Sequence, residues 1–94
     1  MHAAVFEATL GIPGARSLKD KRMVVRSVKE RCRSRFGASV VESGEHDKWQ
    51  RCRLTFALAA VSESAARQGL QDIVEFLYAD ERCEVLEIQT LLEE

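Results

Sequence analysis

The stretch RCRLTFALAAV, residues 51–61, decides the fold. Cys52, Leu54, Phe56, Leu58 and Ala60 alternate with Arg51, Arg53, Thr55 and Ala57, a period of two that places one apolar face on a core. Eleven residues of this pattern predict a long central strand. Downstream, Ser62 is placed to cap a helix whose Ala66, Leu70, Ile73 and Leu77 form an inward stripe with acids outside. Gly69 falls on or beside that stripe, which predicts close approach of helix to sheet, since glycine there costs about 1 kcal/mol of helix propensity. EVLEIQTL closes the chain as a strand, with Leu86 and Ile88 expected inward and Glu87 and Gln89 outward.

Upstream, HAAVFEATLGI (2–12) sets Ala4, Phe6, Ala8, Leu10 and Ile12 against Val5, Glu7 and Thr9, again a half-buried strand. Pro13 and Gly14 stop it, and Ser17 can cap the helix that starts at Leu18. In that helix Val25, Val28, Cys32 and Phe36 keep a helical period, Val24 widens the stripe, and Gly37 ends it. ASVVES (38–43) reads as a short strand and GEHDKWQ (44–50) as a polar loop. The order is βαββαβ. Two helices with single apolar stripes must share one face of the sheet, which implies an α+β, ferredoxin-like split βαβ sandwich. It has a four-stranded antiparallel sheet with both helices on one side, and one domain over residues 1–94.

With 46% apolar and 31% charged residues the chain has an ordinary globular composition. No run approaches the roughly 18 apolar residues of a membrane span. MHAAVFEATLG has no basic leader and carries Glu7, so a secretory signal is not expected. Cys32, Cys52 and Cys83 are odd in number and widely spaced, which favours reduced, buried thiols in a cytoplasmic protein over a disulfide framework or a zinc site.

The net charge of -1 hides a strong asymmetry. Residues 16–35 hold nine Lys or Arg and two acids, for +7, so the remainder carries -8. At about 100° per residue, Lys19, Arg22, Arg26, Lys29 and Arg33 fall within an arc of about 80°, centred roughly 100° from the apolar stripe. Asp20 and Glu30 cannot neutralise five aligned cations. A self-repelling ridge of this kind suits a polyanion, because phosphates bound by Lys and Arg release condensed counterions. Two other readings stand beside it: ordinary solvation, or neutralisation by the acidic surface of another subunit, since residues 62–94 carry nine acids and two basic side chains.

IPGARSLKDKR together with HDKWQR, set in this βαββαβ frame, resembles the YlxP-like family, small bacterial proteins treated as a domain of unknown function. The resemblance covers essentially the whole chain. It implies a ferredoxin-like fold and a bacterial cytoplasmic protein. Genes of the family often lie beside those for translation initiation and ribosome maturation factors, which implies a ribosomal connection. Ser17, Leu18, Lys19, Lys21 and Arg22 carry the first motif, and Asp47, Trp49, Gln50 and Arg51 the second. The family brings no settled activity with it.

The strand exit GIPGARS brings glycines, Arg16 and a helix amino terminus together, which is anion-binding chemistry as well as an ordinary capped turn. It lacks the Walker and dinucleotide patterns. Acylphosphatases share this fold, but they need an asparagine to orient water and the chain has none. Trp49, flanked by Lys48 and Arg51, either stacks on an unpaired base or packs as a lid on the core or at a subunit interface. Glu42, Glu45, His46 and Asp47 show no metal-ligand spacing, and no metal, cofactor or catalytic group is assigned. The outward sheet positions Val5, Glu7, Thr9, Arg51, Arg53, Thr55, Ala57, Ala59, Glu87 and Gln89 mix apolar and oppositely charged groups, a composition suited to a homodimer.

The sequence therefore predicts a non-enzymatic protein that binds structured RNA, ribosomal RNA or the ribosome. Arg16, Lys19, Arg22, Arg26, Lys29 and Arg33 would contact phosphates, with Trp49 and Arg51 adding stacking or shape contacts. The alternative is a homo-oligomeric interaction module that uses the open sheet face and binds no nucleic acid.

Overall fold

Alternating faces in the sequence become a sheet, and the helical stripes close over it. The computed structural model describes residues 1–94, in the order β1 (His2–Gly11), α1 (Leu18–Phe36), β2 (Ser39–Gly44), β3 (Arg51–Ala60), α2 (Glu63–Ala79) and β4 (Glu84–Glu93). The sheet runs β2-β3-β1-β4 with every neighbouring pair antiparallel. This is the ferredoxin-like α+β arrangement the periodicity implies. In the register, Phe6 faces Phe56, Ala8 faces Leu54 and Leu10 faces Cys52. The two phenyl rings stack with centroids 4.9 Å apart.

Phe6, Ala8 and Leu10 of β1 and Cys52, Leu54 and Phe56 of β3 share one core with Val25, Val28 and Cys32 of α1 and Ile73 and Leu77 of α2. Both helices start at the predicted serines: Ser17 Oγ accepts from Asp20 N–H (3.1 Å) and Ser62 Oγ from Ala65 N–H (3.2 Å). Asp20 completes the first cap by accepting from Arg16 N–H at 3.0 Å. Gly37 ends α1 at φ 66°, its N–H donating to Arg33 C=O. Gly69 lies so close to β3 that an added Cβ would overlap Leu58 Cδ2, which gives its place on the stripe a steric reason. All three cysteines are buried and unbridged, and burial pushes the Cys52 thiol up to about 12.

One expectation fails. Leu86 does not point into the core; it is half exposed, and Val85 takes the inward position with Ile88. The reason is a register shift between β1 and β4: Thr9 pairs with Glu87 but Leu10 pairs with Val85, so Leu86 is the extra residue of a bulge. A second shift, between Val5 and Phe6, leaves Leu91 as another extra residue. β2 also runs one residue beyond the predicted strand, to Gly44.

Candidate nucleic-acid interface

The site is built on the flank of α1 that faces away from α2. On one side of the helix, Ser27 accepts from Arg82 Nη2 (3.2 Å) and the Arg35 guanidinium lies 5.3 Å from the Phe76 ring centroid, marking the seam with α2 and the turn after it. On the other side, Arg33 Nη2 donates to the Val40 carbonyl of β2 at 2.7 Å. Lys19, Arg22, Arg26, Lys29 and Arg33 share this second flank. Lys19, Arg22, Arg26 and Arg33 are exposed and Lys29 is half-buried. None of the seven ion pairs in the molecule involves any of the five. Asp20 is engaged in the amino-terminal cap, and Glu30 lies within 4.0 Å of none of their charged groups.

Arg33 differs from the other four. Its bond to the Val40 carbonyl caps an acceptor on an edge strand, and His46 Nε2 does the same for the Glu42 carbonyl at 3.1 Å, two residues along. Arg33 is thus partly committed to the fold, while Lys19, Arg22, Arg26 and Lys29 carry no hydrogen bond to protein from their side chains.

The amino-terminal end of the ridge meets the loop between β2 and β3. Gln50 Nε2 donates to the carbonyls of Pro13 (3.2 Å) and Ala15 (3.0 Å), and the Gln50 carbonyl accepts from Ile12 N–H (2.9 Å). Three bonds on one residue tie the two motif segments, IPGARS and DKWQR, together. Lys21 makes the second tie: only 2% exposed, its Nζ lies 3.1 Å from Glu42 Oε2 and donates to the Glu45 carbonyl. Sequence reading placed Lys21 in a motif without seeing it as a core residue. The signal was present, because residues 21, 25, 28 and 32 keep a helical period and Lys21 continues the buried stripe.

Held by these ties, Trp49 is 52% exposed. The indole therefore does not lie as a lid on the core. Arg16 and Arg51 are exposed and outside every ion pair, and Arg51 pairs with Gly11, one residue from the start of the Ile12–Ala15 turn. Lys48 is 3.3 Å from Glu45, which also lies 3.5 Å from Arg53. The loop acids considered as metal ligands thus have cationic partners at Glu42 and Glu45. No helix is long and apolar enough to cross a membrane.

A ferredoxin-like sandwich in which IPGARS is clamped to DKWQR beside a basic helix defines a class of small α+β domain. The chain belongs to the family described as protein of unknown function (DUF503), whose model matches residues 3–90. It is similar to the uncharacterized protein YlxP of Bacillus subtilis (strain 168), at 38% identity over 65 residues, which cover 67% of this chain and 68% of that protein.

Proposed function

We propose that the protein binds structured RNA through the free flank of α1, without catalysing a reaction, and that ribosomal RNA in the cytoplasm is its target. The observation that carries this reading is the run of five cations with no carboxylate within 4.0 Å, four of them without any hydrogen bond to the fold. From Lys19 to Arg33 the ridge extends about 21 Å along the helix axis, at 1.5 Å per residue. Phosphates along a backbone of comparable length would replace the mutual repulsion with charge-assisted bonds. Arg16 and Arg51 extend the positive surface around Trp49, whose exposed ring offers a face to an unpaired base. Phosphate contacts position a nucleic acid without reading its sequence, so selectivity would come from RNA shape.

A salt titration with fluorescently labelled ribosomal RNA fragments tests the proposal. About five neutralised phosphates give a slope near -4 in log affinity against log salt. Replacing Arg26 and Lys29 with Glu should remove the binding. Undetectable association at about 50 mM salt, or a slope near zero, would overturn the reading.

A further inference from the structure

The carboxyl-terminal half of α1 and the turn after α2 border a cleft of about 560 Å³. Three guanidinium groups line it, those of Arg31, Arg35 and Arg82, with the Phe76 ring and the carboxylates of Asp80 and Glu81. Arg31 and Arg35 are one helical turn apart, and at about 100° per residue they lie roughly 180° around α1 from the centre of the cationic ridge. The cleft is therefore a second cationic region on the opposite flank of the helix.

The arginines are held in different ways. Arg82 is fixed by Asp80, whose Oδ1 accepts from Arg82 Nε at 3.0 Å and whose Oδ2 accepts from Nη2 at 2.7 Å, while Nη2 also reaches Ser27 Oγ at 3.2 Å. Arg35 rests on two phenyl rings, its Cζ 5.5 Å from the Phe36 centroid and 5.3 Å from that of Phe76. Those rings meet edge to face at 5.6 Å, so they position the guanidinium without using its N–H donors. Arg31 faces the turn from beyond ion-pair distance: the Asp80 carboxyl is held below the usual range chiefly by hydrogen bonds from Arg82 and weakly by the charge of Arg31. Neither Arg31 nor Arg35 belongs to any of the seven ion pairs or donates a side-chain hydrogen bond. The α2 acids beside Arg35 are turned to other work, Asp72 accepting from Gln68 at 2.8 Å and Glu75 from Gln71 at 3.4 Å.

We infer that this cleft binds a phosphate-bearing ligand, with Arg31 and Arg35 donating to the phosphate oxygens and Arg82, anchored by Asp80, closing the third side. Three cations face two carboxylates here, and Asp80 has given both of its oxygens to Arg82. Two oriented guanidiniums are left with their donors unspent, the arrangement that recognises phosphate by paired hydrogen bonds. The volume lies within the roughly 300–1,000 Å³ of small-ligand sites and exceeds what one phosphate fills. Glu81 and Arg82 also border a smaller hollow of about 250 Å³ whose walls include Ile12, Ala15 and Val24, which gives the uncharged part of a ligand a place beside its phosphate. The same chemistry is offered by a small phosphorylated molecule and by the phosphorylated end of an RNA.

The test is nuclear magnetic resonance of the nitrogen-15-labelled full chain, titrated at constant ionic strength with pyrophosphate, and separately with a short RNA bearing a 5′-phosphate or a 5′-hydroxyl. The Nε–H signals of Arg31 and Arg35 and the amides of residues 80–82 should shift and saturate. Arg31→Ala, which removes no bond from the fold, should weaken binding about tenfold. Glu81→Gln, which removes an unpaired carboxylate from the rim, should tighten it about threefold, a gain that a damaged fold does not produce. Pyrophosphate shifts with no difference between the two RNAs assign the site to a small phosphorylated molecule; shifts that require the 5′-phosphate assign it to an RNA end. No saturable shift with either probe up to about 10 mM, or binding indifferent to both substitutions, would overturn the inference. Arg26→Glu with Lys29→Glu, which should remove RNA from the ridge, leaves the pyrophosphate shifts in place, so the two sites are read independently.

Discussion

Lys21 Nζ sits 3.1 Å from Glu42 Oε2 with 2% of the lysine and 20% of the glutamate side chain open to solvent, joining the first turns of α1 to β2. A buried ion pair of this kind is weak as a net contribution, because desolvation offsets most of the attraction, but removing one partner strands the other. Lys21→Met should therefore destabilise the protein by about 3 kcal/mol in urea unfolding, and the double change Lys21→Met with Glu42→Leu should recover most of that loss. Equal losses in the single and double variants would show that Lys21 acts through its packing alone.

Gln50→Ala removes the two side-chain bonds that hold the Trp49 loop to the turn at Pro13 and Ala15. The expected loss of stability is about 1–2 kcal/mol. Trp49 is the only tryptophan, so its fluorescence anisotropy reports the loop directly and should fall in the variant. The same indole signal should be quenched when RNA binds. Binding with unchanged fluorescence would leave the ridge as the contact and remove Trp49 from it.

Arg22→Ala and Arg33→Ala should behave differently although both delete one cation of the ridge. Arg22 makes no bond to the fold, so its loss should lower the salt slope of RNA binding by about 1 and leave stability within about 0.5 kcal/mol. Arg33 caps the Val40 carbonyl, so its loss should cost about 1 kcal/mol of stability and change the salt slope less. Chemical denaturation beside the titration separates the two roles.

Asp80 accepts from Arg82 Nη2 at 2.7 Å, Nε at 3.0 Å and backbone N–H at 3.0 Å. The hydrogen bonds from the Arg82 side chain hold its carboxyl below the usual carboxylate range. A depressed folded-state value means that the stabilisation is present above the unfolded value, near pH 4, and is lost as pH falls through the lower folded value. Asp80→Asn should thus cost about 1 kcal/mol at pH 7, an amount limited by the solvent around Arg82, and the difference from wild type should shrink to nothing in strong acid. Thermal unfolding of both proteins from pH 7 to pH 2 measures it.

The first and third strands and both helices were legible because each carries one apolar face with an unbroken period, and Ser17, Ser62 and Gly37 mark helix ends by local chemistry. The ridge was legible for the same reason: 100° per residue sorts Lys19, Arg22 and Arg26 away from Val25 and Val28 without any knowledge of the sheet. Three things were not legible. The bulge at Leu86 arises from how β4 pairs with β1, and nothing within EVLEIQTL marks the extra residue. The clamp by Gln50 joins residues 35 and 37 positions apart, beyond the reach of any local pattern. Lys21 obeyed the core period, but a charged side chain in a basic segment reads as surface until Glu42 is placed beside it.

The two irregularities of β4 have a consequence at the margin of the sheet. An outer strand with an uninterrupted row of amides and carbonyls is a template on which further chains can stack into fibrils. In β4 the extra residues at Leu86 and Leu91 break that row twice within ten positions, so a recruited strand would find only short matching segments. Overexpressed protein should accordingly stay as discrete particles and leave the dye signal of cross-β aggregates flat, even though its last strand lies at the rim.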